Sequence, residues 1–112
     1  MPVDFERIRE TSDGDKEFEQ DLFGIYLQDC ADRIDKLEAA ITGGDFATVQ
    51  LEAHTIKGSS ANIGTTHLQG IAAALEHAED SDVTKNGPAL LKELKTEYAR
   101  VRGAIDSYLG SS

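Results

Sequence analysis

Gly43-Gly44-Asp45-Phe46-Ala47-Thr48-Val49-Gln50-Leu51-Glu52-Ala53-His54-Thr55-Ile56-Lys57-Gly58-Ser59-Ser60-Ala61-Asn62-Ile63-Gly64 reads as one helix held between two stops. Gly43-Gly44 ends the preceding element in the manner of a C-cap, and Asp45 sits where an N-cap is expected. Asn62-Ile63-Gly64-Thr65 marks the next turn. Between the stops, Val49, Ala53, Ile56, Ser60 and Ile63 fall on one side of a wheel turned by about 100° per residue. The spacing predicts an amphipathic helix from Phe46 to Asn62, joined to its neighbours by short turns. Short turns between long helices force antiparallel neighbours.

The same reading extends outward. Before this segment, Lys16 to Ile41 forms a long helix whose apolar stripe is Phe18, Leu22, Ile25, Tyr26, Ile34, Leu37 and Ile41. After it, a third long helix is expected from Thr66 to Asp80, with Thr66 and Gln69 at capping-box spacing and Leu68, Ile71, Ala72 and Leu75 buried. A fourth is expected to start near Asn86 or Gly87, because Pro88 suits a first helical turn. Leu91, Leu94, Tyr98, Val101, Ile105 and Leu109 mark its core face, and Gly110 closes it. A short helix from Val3 to Glu10 precedes them all. Alternating strand-like runs are missing from the sequence. The fold class is therefore all-α: an antiparallel up-down-up-down four-helix bundle, with a short extra N-terminal helix over one end. Residues 1–112 form a single domain, since two separate cores do not fit comfortably in that length.

Composition removes several function classes. Eleven Lys and Arg against 21 Asp and Glu give a formal net charge of −10, with no basic cluster to offset it, so no nucleic acid is expected as partner. A single cysteine, Cys30, excludes an internal disulfide and a Cys-rich zinc site. The start Met1-Pro2-Val3-Asp4 has neither a basic n-region nor a long apolar run, so no membrane association is expected and the localisation expected is cytoplasmic.

The central helix breaks a rule. Gly58 lies inside it, where glycine costs about 1 kcal/mol relative to alanine. His54, Lys57, Gly58 and Ala61 stand at i, i+3, i+4 and i+7, a stripe away from the core face; Ala47, Gln50 and Leu51 extend it one turn earlier. His54 is therefore expected in solvent, with Lys57 on one side and bare backbone at Gly58 on the other. A neutral imidazole is a good nucleophile near physiological pH and can attack a phosphoryl donor in line. A mobile lysine ammonium one turn away attracts the resulting phosphoryl oxygens. No adjacent Ser or Cys nucleophile and no metal-ligand cluster completes a hydrolase, so the site reads as half of an active centre whose other half a partner supplies. For Gly58 the spacing also allows a packing glycine at a close helix crossing.

The run from Ala53 to Gly64, with Leu68 and Leu75-Glu76, resembles the histidine-containing phosphotransfer (HPt) domain family. His54, Lys57-Gly58-Ser59-Ser60, Ile63-Gly64, the leucine four residues later and the Leu-Glu pair all match its pattern, as do Gly44-Asp45 and the long preceding helix. The resemblance implies a phosphoryl relay. His54 would accept a phosphoryl group from an aspartyl-phosphate on one receiver domain and pass it to the aspartate of another. Lys57 would support the phosphorylated state, and Gly58, Leu51, Ala47, Gln50 and Ala61 would line the receiver-docking face. Glu76 matches a position where a Glu or Gln hydrogen-bonds the imidazole in some HPt-like domains; as a residue it reads equally as a solvated flank. Partners would be response-regulator receiver domains, a hybrid histidine kinase, or both. No cofactor or metal is expected on this chain, and Mg²⁺ only in the receiver. The protein would be a phosphoryl carrier and not an enzyme. A monomer is expected, free-standing or, alternatively, a domain of a longer hybrid kinase.

Three rival readings stay open at this point: a module that binds a receiver without carrying phosphate, a kinase fragment using ATP, and a purely structural bundle. The remaining candidates read as structure. Ser60 points to the core with a bond back to a helical carbonyl, Gly64 makes the tight turn, and His67 and His77 lie on the surface, a poor metal pair. Cys30 is a small packing residue. Phe23 and Leu27 read as core, with receiver contact as the alternative.

Overall fold

The computed structural model describes residues 2–110. Among them the chain forms α1 (Phe5–Ser12), α2 (Lys16–Gly43), α3 (Phe46–Ile63), α4 (Thr66–His77) and α5 (Asp80–Gly110). Helix α2 packs on α3, α3 on α4, α4 on α5, and α5 back on α2, closing an antiparallel four-helix bundle. At about 1.5 Å per residue, the 31 residues of α5 run the whole 46 Å length of the molecule. No helix among the described residues is long and apolar enough to cross a membrane.

Local chemistry sets the ends. The Asp45 carboxylate accepts the Thr48 amide at 3.2 Å and starts α3, while Gly44 at φ +71° ends α2. Gly64 at φ +84° ends α3. Its backbone lies so close to the N-terminal segment that a Cβ there would meet Asp4 Cβ at 2.8 Å. The Asp4 amide donates to the Gly64 carbonyl at 3.3 Å, and Arg7 Nη1 to the Ala61 carbonyl at 3.2 Å. One carbonyl in the last turn of α3 and that of its C-cap thus find donors in or beside α1. Helix α1 covers one end of the bundle. Phe5 stacks on Tyr108 at 4.3 Å and meets Phe23 edge-on at 6.0 Å. The buried Glu19 carboxylate accepts Ser12 Oγ at 2.6 Å and the Tyr108 hydroxyl at 2.9 Å.

Several boundaries differ from the sequence reading, each for a physical reason. The fourth long helix begins at Asp80, so Pro88 lies inside it. Pro88 removes one intrahelical bond, but the turns before it carry Val83 and Gly87, both buried. A Cβ on Gly87 would stand 3.3 Å from Ile41 Cγ2, so α2 and α5 cross closely there. Packing overrides the local penalty. Helix α4 accordingly stops at His77, three residues early, and Thr65 occupies its N-cap without a side-chain cap bond, so the Thr66–Gln69 box does not form. The Thr65 hydroxyl is used elsewhere: it donates to the Ser60 carbonyl at 3.2 Å and lies 3.1 Å from the Tyr26 hydroxyl. Helix α1 starts at Phe5, not Val3, behind an Asp4 cap.

The core contains Tyr26, Ile34 and Leu37 of the expected α2 stripe, together with Phe23 and Cys30 of the same helix. Leu27 packs partly buried against it. Phe18 and Ile25, expected inside, are 45% and 71% exposed. They fall on the edge of α2 with Leu22 and Asp29, spaced by three and four residues. Asp29 accepts Arg33 Nε at 2.9 Å, and Arg33 Nη1 reaches Glu52 of α3 at 3.0 Å, so this edge borders α3. Burial pushes the Cys30 thiol up to about 12, so it stays a neutral packing group.

Candidate functional site

The core face of α3 is as its spacing predicts: Val49, Ala53, Ile56, Ser60 and Ile63 are all buried. The opposite face is therefore turned outward. The His54 side chain is 65% exposed. Gly58 is exposed, and nothing lies within 4 Å of a Cβ built on it. The packing explanation for this glycine fails, because no second helix crosses there. Ala47, Gln50 and Leu51 are exposed, Leu51 at 61%, and Ala61 is half-buried with its carbonyl held by Arg7.

Ser60 differs from expectation. It makes no bond back along α3; its Oγ lies 2.9 Å from the Tyr26 hydroxyl, and Ser59 instead bonds back to the Ile56 carbonyl at 3.2 Å. One proton assignment satisfies the buried group. The Thr65 hydroxyl donates to the Ser60 carbonyl, Tyr26 donates to Thr65, and Ser60 donates to Tyr26. Burial pushes the Tyr26 phenol up to about 12, so it remains a donor at neutral pH.

Glu76 reaches from α4 to the face of α3. Its Oε2 lies 2.5 Å from Nδ1 of His54, and its Oε1 lies 2.5 Å from Nζ of Lys57. The hydrogen bond from Lys57, followed by that from His54, holds the Glu76 carboxyl below its ordinary range against the opposing effect of burial. An ionised carboxylate only accepts, so Nδ1 of His54 carries the hydrogen. That fixes the tautomer and leaves the lone pair on Nε2. Of the two readings of Glu76, the structure supports contact with the imidazole.

Two features were invisible in the sequence. Lys57 is ion-paired with Glu76, a pairing between helices that no spacing within α3 announces. His77, the last residue of α4, brings Nε2 to 3.7 Å from the same Glu76 Oε1. His67 stands apart and exposed at the other end of α4. No group of three or more His, Cys, Asp or Glu among the described residues is arranged to hold a metal ion.

Residues 21–104 match the family model of the Hpt domain. The chain belongs to the Hpt domain family. The Hpt match takes in α3, α4 and most of α2 and α5, and so includes His54, Lys57, Gly58 and Glu76. Over 90 residues, 80% of its length, the chain is 28% identical to the phosphorelay intermediate protein rdeA of Dictyostelium discoideum. It spans only 35% of that relative's length. Its fold is similar to that of histidine-containing phosphotransfer protein B (HptB) of Pseudomonas aeruginosa PAO1. That superposition has a TM-score of 0.84 at 23% identity and covers 99% of this chain and 96% of HptB.

Proposed function

We propose that this Hpt domain is a phosphoryl carrier of a two-component phosphorelay, with His54 as its phospho-acceptor. The observation that carries this reading is the His54 imidazole: Nδ1 is pinned to Glu76 while Nε2 faces solvent beside Lys57 and the bare backbone of Gly58. Membership of the Hpt family and the likeness to a phosphorelay intermediate protein support it.

The chemistry follows from that geometry. The Nε2 lone pair attacks the phosphorus of a receiver's aspartyl-phosphate. The N–P bond forms as the P–O bond to the aspartyl oxygen breaks, and the electron pair leaves on the receiver carboxylate. No proton has to leave Nε2. Positive charge developing on the ring is met by Glu76 at Nδ1–H, and the phosphoryl oxygens draw the Lys57 ammonium. The reverse step onto a second receiver regenerates the neutral ring. In this reading the domain acts as a carrier without turnover of its own. Mg²⁺, where required, belongs to the receiver.

The receiver is proposed to dock on the outward face of α3 around Gly58, with Leu51, Ala47, Gln50 and Ala61. The exposed edge of α2 extends that face. Tyr26 lies against Ser60, and its neighbour Ile25, exposed on α2, would add apolar surface near the end of the His54 stripe.

The test is to incubate the protein with a phosphorylated receiver domain and map acid-labile phosphate at neutral to basic pH. Label on His54, absent from His54→Gln, is expected. Binding of several receivers without any label would make the protein a docking module. Label from ATP and Mg²⁺ alone would make it a kinase.

A further inference from the structure

The resting site gathers three nitrogen bases around one carboxylate. Glu76 takes His54 on Oε2 and Lys57 on Oε1, and His77 Nε2 stands 3.7 Å from that same Oε1. Helix geometry does not impose the third approach. Successive residues on an α-helix point about 100° apart and do not face each other. His77 is the last residue of α4, and the chain leaves the helix at Ala78 with ψ 138°. The imidazole of His77 nevertheless turns back toward the carboxylate of the residue before it.

Lys57 has two claims on it. At rest it neutralises Glu76. Once a phosphoryl group sits on Nε2 of His54, a dianion competes for the same ammonium. Lysine is a compact charge on a flexible stem, and its move would leave Oε1 of Glu76 without its cation. The Glu76 side chain is only 16% exposed, so water replaces that cation poorly.

Resting on the phosphotransfer reading above, we propose that His77 is a positioning residue of the phosphorylated state. It takes over Oε1 of Glu76, through its Nε2–H, when Lys57 moves to the phosphoryl oxygens. Glu76 then keeps a cation or a donor against each oxygen throughout, and its grip on Nδ1 of His54 is undisturbed. His77 touches neither the phosphoryl group nor the attacking nitrogen; it acts through Glu76.

The experiment uses the full chain and phosphoramidate, a small phosphoryl donor that needs no docking. Nitrogen-15 NMR follows the ring of His77 before and after phosphorylation, and phosphorus-31 NMR follows the decay of phosphohistidine. On phosphorylation the His77 Nε2 signal is expected to move to that of a hydrogen-bonded donor, and to stay put in His54→Gln. His77→Ala is expected to shorten the phosphohistidine lifetime roughly two- to fivefold, the range of a partly exposed ion pair, and His77→Lys to restore it. An unmoved His77 signal together with an unchanged lifetime in His77→Ala overturns the exchange while leaving His54 phosphorylation intact. A wild-type chain that takes no phosphate on His54 from either phosphoramidate or a receiver overturns the phosphotransfer reading and the exchange with it.

Discussion

The hydroxyl of Tyr26 on α2 lies 2.9 Å from Oγ of Ser60 on α3 and fixes how the two helices are registered. Their pairing, closed by Thr65, sets the level at which the apolar edge of α2 meets the His54 face. It also predicts how the helix pair responds to loss of one oxygen. Tyr26→Phe keeps the ring packed but strands the buried Ser60 hydroxyl. A loss of about 1–3 kcal/mol in urea unfolding is expected, with phosphorylation of His54 by phosphoramidate unchanged. Unaltered stability would mean that water already satisfies Ser60.

Gly58 should separate folding from docking. Nothing lies within 4 Å of a Cβ at this position. Gly58→Ala is therefore expected to stabilise α3 by about 0.5–1 kcal/mol, raising the melting temperature by a few degrees. Transfer from a phosphorylated receiver should slow at the same time, while phosphoramidate labels His54 as before. Receiver transfer at the wild-type rate would remove Gly58 from the docking face.

Ile25 is a matching test on α2. Being 71% exposed, it can be replaced by serine at a stability change within about 0.5 kcal/mol. Receiver affinity, measured by calorimetry, is expected to fall several-fold in Ile25→Ser and again in Leu51→Ala. Affinity that ignores Ile25 would confine the docking face to α3.

Glu76 makes stability depend on pH in a definite direction. Its carboxyl is held below the ordinary range by Lys57 and then His54. A depressed carboxyl stabilises the fold above its unfolded pKa of about 4.3, and that contribution fades as pH falls through the lower folded value. Melting curves of the wild type and Glu76→Gln should differ by a constant gap from pH 7 to about 5 and converge below about 4. A gap that persists unchanged to pH 3 would show that ionisation of Glu76 does not support the fold.

Gly64 cannot be replaced cheaply. Its φ of +84° disfavours any side chain, and a Cβ would strike Asp4 at 2.8 Å. Gly64→Ala is expected to cost at least about 1–3 kcal/mol and to loosen α1, read as faster amide exchange at Asp4 and Ile8.

Much of this was legible in the sequence, and the misses share a cause. The 3.6-residue period placed Val49, Ala53 and Ile56 inside and His54 outside, because a wheel needs only one helix. Phe18 and Ile25 satisfied the same apolar rule and still lie outside, since hydrophobicity alone cannot tell a stripe that meets another helix from one that meets solvent. Pro88 looked like a helix start, and Thr66 with Gln69 like a capping box, because local capping chemistry was weighed without the packing of Gly87 on Ile41 or the demand of Tyr26 on Thr65. The pairing of Lys57 with Glu76 depends on the spacing between α3 and α4, which no single-helix pattern encodes.

A solvent-facing Nε2 on one face of one helix also imposes a traffic rule. Under the proposed relay that face would be a shared berth. The upstream donor and the downstream acceptor would use it in turn, so each handover would end with the departure of one protein before the next could moor. A surplus of either partner would then occupy the berth unproductively and slow the relay, and throughput would peak with the two in balance.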